Sequence, residues 1–410
     1  MQEVIDSGTV YVSNGTYVLT SQVLINRPIT VRGFNGASVT TLDCDVPGNT
    51  TPPVYVNHSL AVLERFKIID CTELTYNNFG PIYLANGTVR YCTLTANNCV
   101  SSGGGYVGGG LLHTCTITNN IANHYNTGLG AGLRVAGGVV SNCFIARNQA
   151  ADGGGGIYQT GGTVKQCIIS NNTAVRNDGG GAKGGGVWIA GGRLENCLVI
   201  TNRITATLNT DGGGIYQAGG NVVNCTVADN KRAQGPTGAG LTITAGAVTN
   251  SIFYYNSDTY PAIGEENVKK SGGTITYSSM QPLVAGTGNT GSNPDFVNRP
   301  ARNYRLNYGS ACADSGTNVP SVTVDLVWPN RPIDGDGDGT ARYDMGCYER
   351  ETPGAAFVCS FAGTPLMGTN SMTVVFTASV AGPGTNSVTY WWDWTNDGVI
   401  DFGGSTRKIV

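Results

Sequence analysis

The chain has 410 residues, of which 61 are glycine and 12% are charged, with a formal net charge of -3. Glycine at that level without a triplet period excludes collagen, and the low charge excludes a chain held unfolded by self-repulsion. No basic footprint points to nucleic acid, and no apolar run of about 18 residues reads as a membrane-spanning helix.

In chain order, the first readable segment is TVYVSNGTYVLTSQVLINRPITVRGFNGASVTTLDC, from Thr9 to Cys44, whose alternating apolar residues predict short strands. Met1 stands almost on the first of them and the last residues stop in mid-pattern, so the chain reads as a piece of a longer protein. From residue 130 a 19-residue block returns five times. GGGIYQTGGTVKQCIISNN at Gly154 recurs ungapped as GGGVWIAGGRLENCLVITN at Gly184 and GGGIYQAGGNVVNCTVADN at Gly212, with looser copies from Gly130 and Gly238. A repeat of this length, joined by segments of varying length, predicts a solenoid with loops leaving one side of each coil.

Position four of the block (Leu133, Ile157, Val187, Ile215, Leu241) is always apolar. So are position eleven (Val140, Val164, Leu194, Val222, Val248) and position sixteen (Ile145, Ile169, Val199, Val227, Phe253). Runs this short, broken by Gly-Gly and Asn, predict three strands per coil, each pairing in parallel with its equivalent in the next coil around one continuous core.

Cys92, Cys115, Cys143, Cys167, Cys197 and Cys225 occupy one block position, with Ser251 next and Cys44 and Cys71 extending the column. An inward file of thiols is expected as small, soft core packing; oxidation of some neighbours stays open, and no histidine or second cysteine lies at metal-ligand spacing. Five residues after each repeat cysteine comes Asn97, Asn120, Asn148, Asn172, Asn202 or Asn230, with Asn256 after Ser251. Asparagine accepts left-handed backbone and bonds to stacked copies of itself, so this is expected to be a turn ladder. Asn142, Gln166, Asn196, Asn224 and Asn250, just before the cysteine position, mark a second corner.

These GGGI and NCxIxxN elements resemble the right-handed parallel β-helix family, the fold of pectate lyases and of many bacterial surface proteins, and are similar to the short repeats of chlamydial polymorphic membrane proteins. The opening segment looks like the entry coils of secreted β-helix proteins. The resemblance spans residues 1–280 and speaks for fold, not activity.

After about Tyr277 the frame stops. NPDFVNRPARNYRLNYGSACADSGTN and DGDGDGTARYDMGCYE, within 281–350, resemble the choice-of-anchor Q module that follows β-helices in secreted and surface proteins. That implies an exported, extracellular or cell-surface parent tethered by a signal outside this chain. Asp334, Asp336 and Asp338, followed by Gly339, begin like a calcium loop, with Asp344 the nearest further acid because Met345 holds the twelfth position. Calcium is expected there, against a plain acidic turn. If the module is exported, Cys312 and Cys347 are expected to form a disulfide. Residues 351–410, with TVVFTASVAGPGTNSVTYWWDWTNDGVIDFG, resemble a partial polycystic-kidney-disease type immunoglobulin-like sandwich.

Chemistry is harder to place. Lys165, Arg193 and Glu195 come together across two coils, the best catalytic constellation available, yet it holds one carboxylate where a hydrolase needs two. Solvated ion pairing is the plainer reading. Position five runs Arg134, Tyr158, Trp188, Tyr216, Thr242, and should point outward at about 4.8 Å spacing, a platform for sugar rings unless loops cover it. Asp152, Asp178 and Asp211 lie before glycine runs, where a calcium role is one reading and bonding to their own backbone the plainer one. His58, His113 and His124 share no frame position and have no serine or cysteine in register for a triad.

The sequence therefore supports a non-catalytic, exported β-helix that binds glycans or mediates adhesion. Its alternatives are a polysaccharide lyase or glycoside hydrolase, and a structural surface-layer or filament repeat that self-associates through an exposed coil edge.

Overall fold

The computed structural model describes residues 7–350 apart from 45–50, 73–78, 177–180, 206–207, 233–237, 259–266 and 328–329, together with five strands beyond 350. The chain forms a parallel β-helix, and no α-helix occurs among the described residues. Each regular coil carries four short strands, not three. In the coil of Gly154 they are Ile157–Gln159, Thr163–Lys165, Ile168–Ser170 and Thr173–Ala174.

The strand beyond the expected three is the fourth, the two-residue Thr173–Ala174, which follows the ladder asparagine just past the 19-residue block. In two earlier coils, Val54–Glu64 and Ile82–Arg90 run through as single strands and join the first two columns into one 19-stranded sheet. In the later coils Gly161 and Gly162 bend the chain between the columns. A Cβ on Gly162, whose φ is +65°, would lie 2.6 Å from Gly137 of the coil below, so only glycine fits both the backbone and the gap. The third column has 11 strands and the fourth seven, all in parallel register.

Positions four, eleven and sixteen point inward and are fully buried in every copy, in one core that also holds the cysteine file. Cys44, Cys71, Cys92, Cys115, Cys143, Cys167, Cys197 and Cys225 are all free thiols, and burial pushes those of Cys44, Cys92, Cys143 and Cys197 up. The file continues in hydroxyls, the Cys225 amide donating to Ser251 Oγ at 3.1 Å and the Ser251 amide to Ser278 Oγ at 3.0 Å.

The asparagine ladder forms from Asn97 to Asn256 and ends on Asn267. In each step Oδ1 of one asparagine accepts from both the amide and Nδ2 of the asparagine a coil below, at 2.8–3.2 Å. The left-handed residue of this turn is the one before, such as Arg147, Asn171 or Asp229; the ladder asparagine serves through its side chain. At the other corner Asn142, Gln166, Asn196, Asn224 and Asn250 are themselves left-handed, with φ from 48° to 53°.

After Met280 the chain folds back along the outside of the solenoid. Four of these corner side chains donate to its carbonyls: Gln166 to Asp325, Asn196 to Val324, Asn224 to Asp344 and Asn250 to Thr317, at 2.6–3.2 Å. Leu198, Ile200, Ile252 and Tyr254, on the outer side of the third column, form an apolar layer with Phe296, Tyr304, Leu306, Leu326, Met345 and Tyr348. Beyond 350, Val358–Thr364 and Val375–Ala381 pair antiparallel, as do Tyr390–Trp392 and Phe402–Gly404. Lys408–Ile409 pairs antiparallel with Val375–Ala381, and the rest of the segment expected as an immunoglobulin-like sandwich lies outside the described residues.

Candidate functional site

Position five lies on the outer side of the first column, and its file is longer than the repeat alone indicates. Register pairs Tyr55 with Tyr83, Tyr83 with Tyr106, Tyr106 with Arg134, Arg134 with Tyr158, Tyr158 with Trp188 and Trp188 with Tyr216. Tyr55 and Tyr83 stack at 5.0 Å, and Phe79 stacks on Tyr83 at 4.9 Å. Tyr158 to Trp188 and Trp188 to Tyr216 meet edge to face at 5.2 and 5.6 Å. The guanidinium of Arg134 lies 5.3 Å from the Tyr158 ring centre, and Lys183 Nζ lies 4.7 Å from that of Tyr216 and 5.5 Å from that of Trp188.

This is not an open platform of flat faces. The rings spend faces on one another and on cations, which leaves edges and hydroxyl tips toward solvent. Tyr216 is buried, the other rings are half-buried, and Trp188 Nε1 is buried without a hydrogen-bond acceptor. Lys183 belongs to the strand Gly181–Lys183, which pairs with Leu208–Asp211. The aromatic residues of the earlier coils were missed because the coils of Tyr55 and Tyr83 lack the GGG start and Tyr106 follows its GGG directly, one residue out of the block frame; the alternation in VYVN and IYLAN was the available signal.

In the second column, Lys165 and Glu195 are register partners, but Glu195 is buried and takes its ion pair from Arg193 of its own strand, Nε to Oε2 at 2.5 Å. Arg193 also reaches Ser321 Oγ of the returning chain at 3.3 Å, and Val223 of the next coil is covered by Val322 and Tyr343. The line of Glu195 and Val223 on the outward face is therefore capped, whereas Lys165 and Arg193 stay half-buried and Lys165 has no ion pair among the described residues.

The acidic loop departs from the expected ligand set. Asp338 pairs with Arg342 at 2.9 Å, and Asp344 is fully buried, accepting from the amides of Asp314 and Arg350. Burial, with Glu349 beside it, pushes the Asp344 carboxyl up to about 8. The carboxylates that converge are Asp314, Asp334 and Asp336, with ligand oxygens within 4.8 Å of one another, and these three can hold a metal ion. Asp314 lies 20 residues before the DGD run and carried no motif signal. Much of that motif is instead a buried lock. Glu349 pairs with Arg331 at 3.1 Å and accepts from the amides of Ile333 and Asp344, while Asp325 accepts from the amide of Glu349.

Cys312 and Cys347, expected as a disulfide, are two free, buried thiols in the apolar layer, each pushed up to about 12 by burial. Asp152 pairs with Arg176, and Asp211 with Lys269 at 2.8 Å, so neither merely closes its own turn. Asp178 lies outside the described residues. His113 bonds Thr114, and its imidazole is lowered by burial; His58 Nδ1 accepts from the Leu60 amide. No helix among the described residues is long and apolar enough to cross a membrane.

No family model matches the chain, and no curated protein is similar to it in sequence. Among solved structures it is similar to the crystal structure of the pectate lyase Pel9A, with a TM-score of 0.51 and 14% identity over 84% of this chain and 88% of that one. At that identity the likeness establishes the parallel β-helix fold.

Proposed function

We propose that this protein recognises a polysaccharide lying along the solenoid axis on the face of the first strand column. The observation that carries the reading is the file of Tyr55, Tyr83, Tyr106, Arg134, Tyr158, Trp188 and Tyr216. A polymer of repeating sugars running along it meets an aromatic edge or a cation at each coil, about every 4.8 Å. Such a protein works outside the cell or at its surface, as an adhesion or glycan-binding solenoid. Residues 1–280 form the recognition element, 281–350 a brace along its side, and 351–410 a spacer. Calcium is the ion we assign to Asp314, Asp334 and Asp336, since carboxylate oxygens on a tight loop suit a hard cation.

A second reading, a polysaccharide lyase, is supported by the fold shared with a pectate lyase and by the free amine of Lys165, a residue type that serves as base in proton abstraction. A glycan array with the full chain, followed by assay for unsaturated or reducing ends, separates the two. Binding without product, weakened at least fivefold by Trp188→Ala, supports recognition. Turnover abolished by Lys165→Ala makes the protein a lyase, and binding indifferent to Trp188 refutes the site.

A further inference from the structure

A second concavity runs along the corner between the second and third strand columns, on a different side of the coil from the aromatic file. It consists of two adjoining clefts of about 640 and 520 Å³ that share Tyr91, Thr114, Asn142 and Phe144. One end is bounded by the turn of Asn35–Ser38 and the other by Leu326, Val327 and Tyr348 of the returning chain. From the coil of Thr40 to that of Ile168 this is five steps, about 24 Å at the spacing of stacked strands. The returning chain thus buries the third column from Leu198 onward, packs against the edge of Ile168, and leaves the earlier coils open.

The charge in this groove is one-sided. No carboxylate lines it among the described residues, whereas Arg65 and Lys67 do, half-buried and without an ion pair or side-chain hydrogen bond among those residues. The nearest buried acid, Glu64, is 1% exposed and is already held between Arg32 and Arg90. Two cations with no counter-charge in a concave site form a field that favours an anion. Thr93, Thr114, Thr116 and Asn142 add hydroxyl and amide groups to the wall, and Tyr91 and Phe144, the latter 38% exposed, add aromatic surface.

We infer that this groove binds an acidic polysaccharide, whose anionic groups meet Arg65 and Lys67 while its sugar rings pack against Tyr91 and Phe144. Closely spaced hydroxyl and amide groups match the hydroxyl density of a sugar chain, and the length suits an oligosaccharide better than a single sugar. The inference is independent of the aromatic file, because the two sites share no residue.

The test is binding of the full chain to polygalacturonate, dextran sulfate and neutral dextran of matched length, at low and high salt, with a single-stranded oligonucleotide as competitor. Arg65→Asn, which tolerates the φ of +65° at that position, is combined with Lys67→Gln. Expected is binding of one or both anionic chains over dextran, lost at least tenfold in the double variant together with most of the salt dependence. Phe144→Ala should weaken binding with the salt dependence retained. Carboxylate and sulfate polymers separate the two anionic chemistries. Equal affinity for neutral dextran, no binding of either anion, preference for the oligonucleotide, or a double variant that folds and binds like the parent would each overturn the assignment.

Discussion

Replacing Asn172 by alanine isolates the contribution of the ladder. Asn172 Oδ1 accepts from the Asn148 amide at 3.0 Å and from Asn148 Nδ2 at 2.9 Å, and its own Nδ2 donates to Ile145 O and Asn202 Oδ1, both at 2.9 Å. Truncation leaves the buried Asn148 amide with no acceptor. Asn148 Nδ2 keeps its bond to Ile117 O, and Asn202 Oδ1 keeps the Asn172 amide, so the damage is one orphaned donor, one half-satisfied donor and a small void. At about 1–3 kcal/mol for each buried group left unpaired, the expected loss is about 2–4 kcal/mol. Because a solenoid's stability is close to a sum of coil and interface contributions, the loss should be concentrated in the coils of Asn148 and Asn172. Urea denaturation gives the magnitude and amide hydrogen exchange its location. The neighbouring Asn171, left-handed at φ 55°, is the control: Asn171→Gly should change stability by no more than about 0.5 kcal/mol. A loss below about 1 kcal/mol for Asn172→Ala, or one equal to the control, would refute the claim that the ladder side chains hold the corner.

Three further outcomes are expected. Gly162→Ala places a Cβ 2.6 Å from the Gly137 backbone at a positive φ, so it should destabilise by more than about 2 kcal/mol in urea titration, with exchange spreading from the bend. For Asp344 the folded pKa of about 8 stands above the ordinary carboxylate value, so the folded state holds the extra proton; its contribution is complete below about pH 4 and is lost as pH rises through 8. Melting temperature should therefore fall from that group between those limits, Asp344→Asn should flatten the slope, and a rise over the same range would contradict it. Finally, calcium should raise the melting temperature of the full chain and Asp314→Asn should remove the shift, while Asp338→Asn, whose carboxylate is engaged by Arg342, should leave it in place.

The inside of this protein was legible because a coil repeats. Ile157, Val164 and Ile169 return at fixed positions, and alternation along a strand determines which residues face inward whatever lies around them. Periodicity likewise identified Cys167 and Asn172 as members of inward files. It did not distinguish three strands per coil from four, since the fourth, such as Thr173–Ala174, is two residues long and lies just past the constant block, where the linking segments vary.

The outside was decided by tertiary structure. Glu195 follows the pattern of an exposed residue and is buried, because the chain returns across it from far along the sequence; Asn196 alone donates to a carbonyl 128 residues away. Asp314 joins Asp334 and Asp336 for the same reason, across a separation no motif spans. Arg65 and Lys67 are left without counter-charge where that returning chain stops short. A repeat specifies its own neighbours through nearest-coil contacts, whereas what covers or leaves open its outer face depends on non-repeating contacts that carry no period to read.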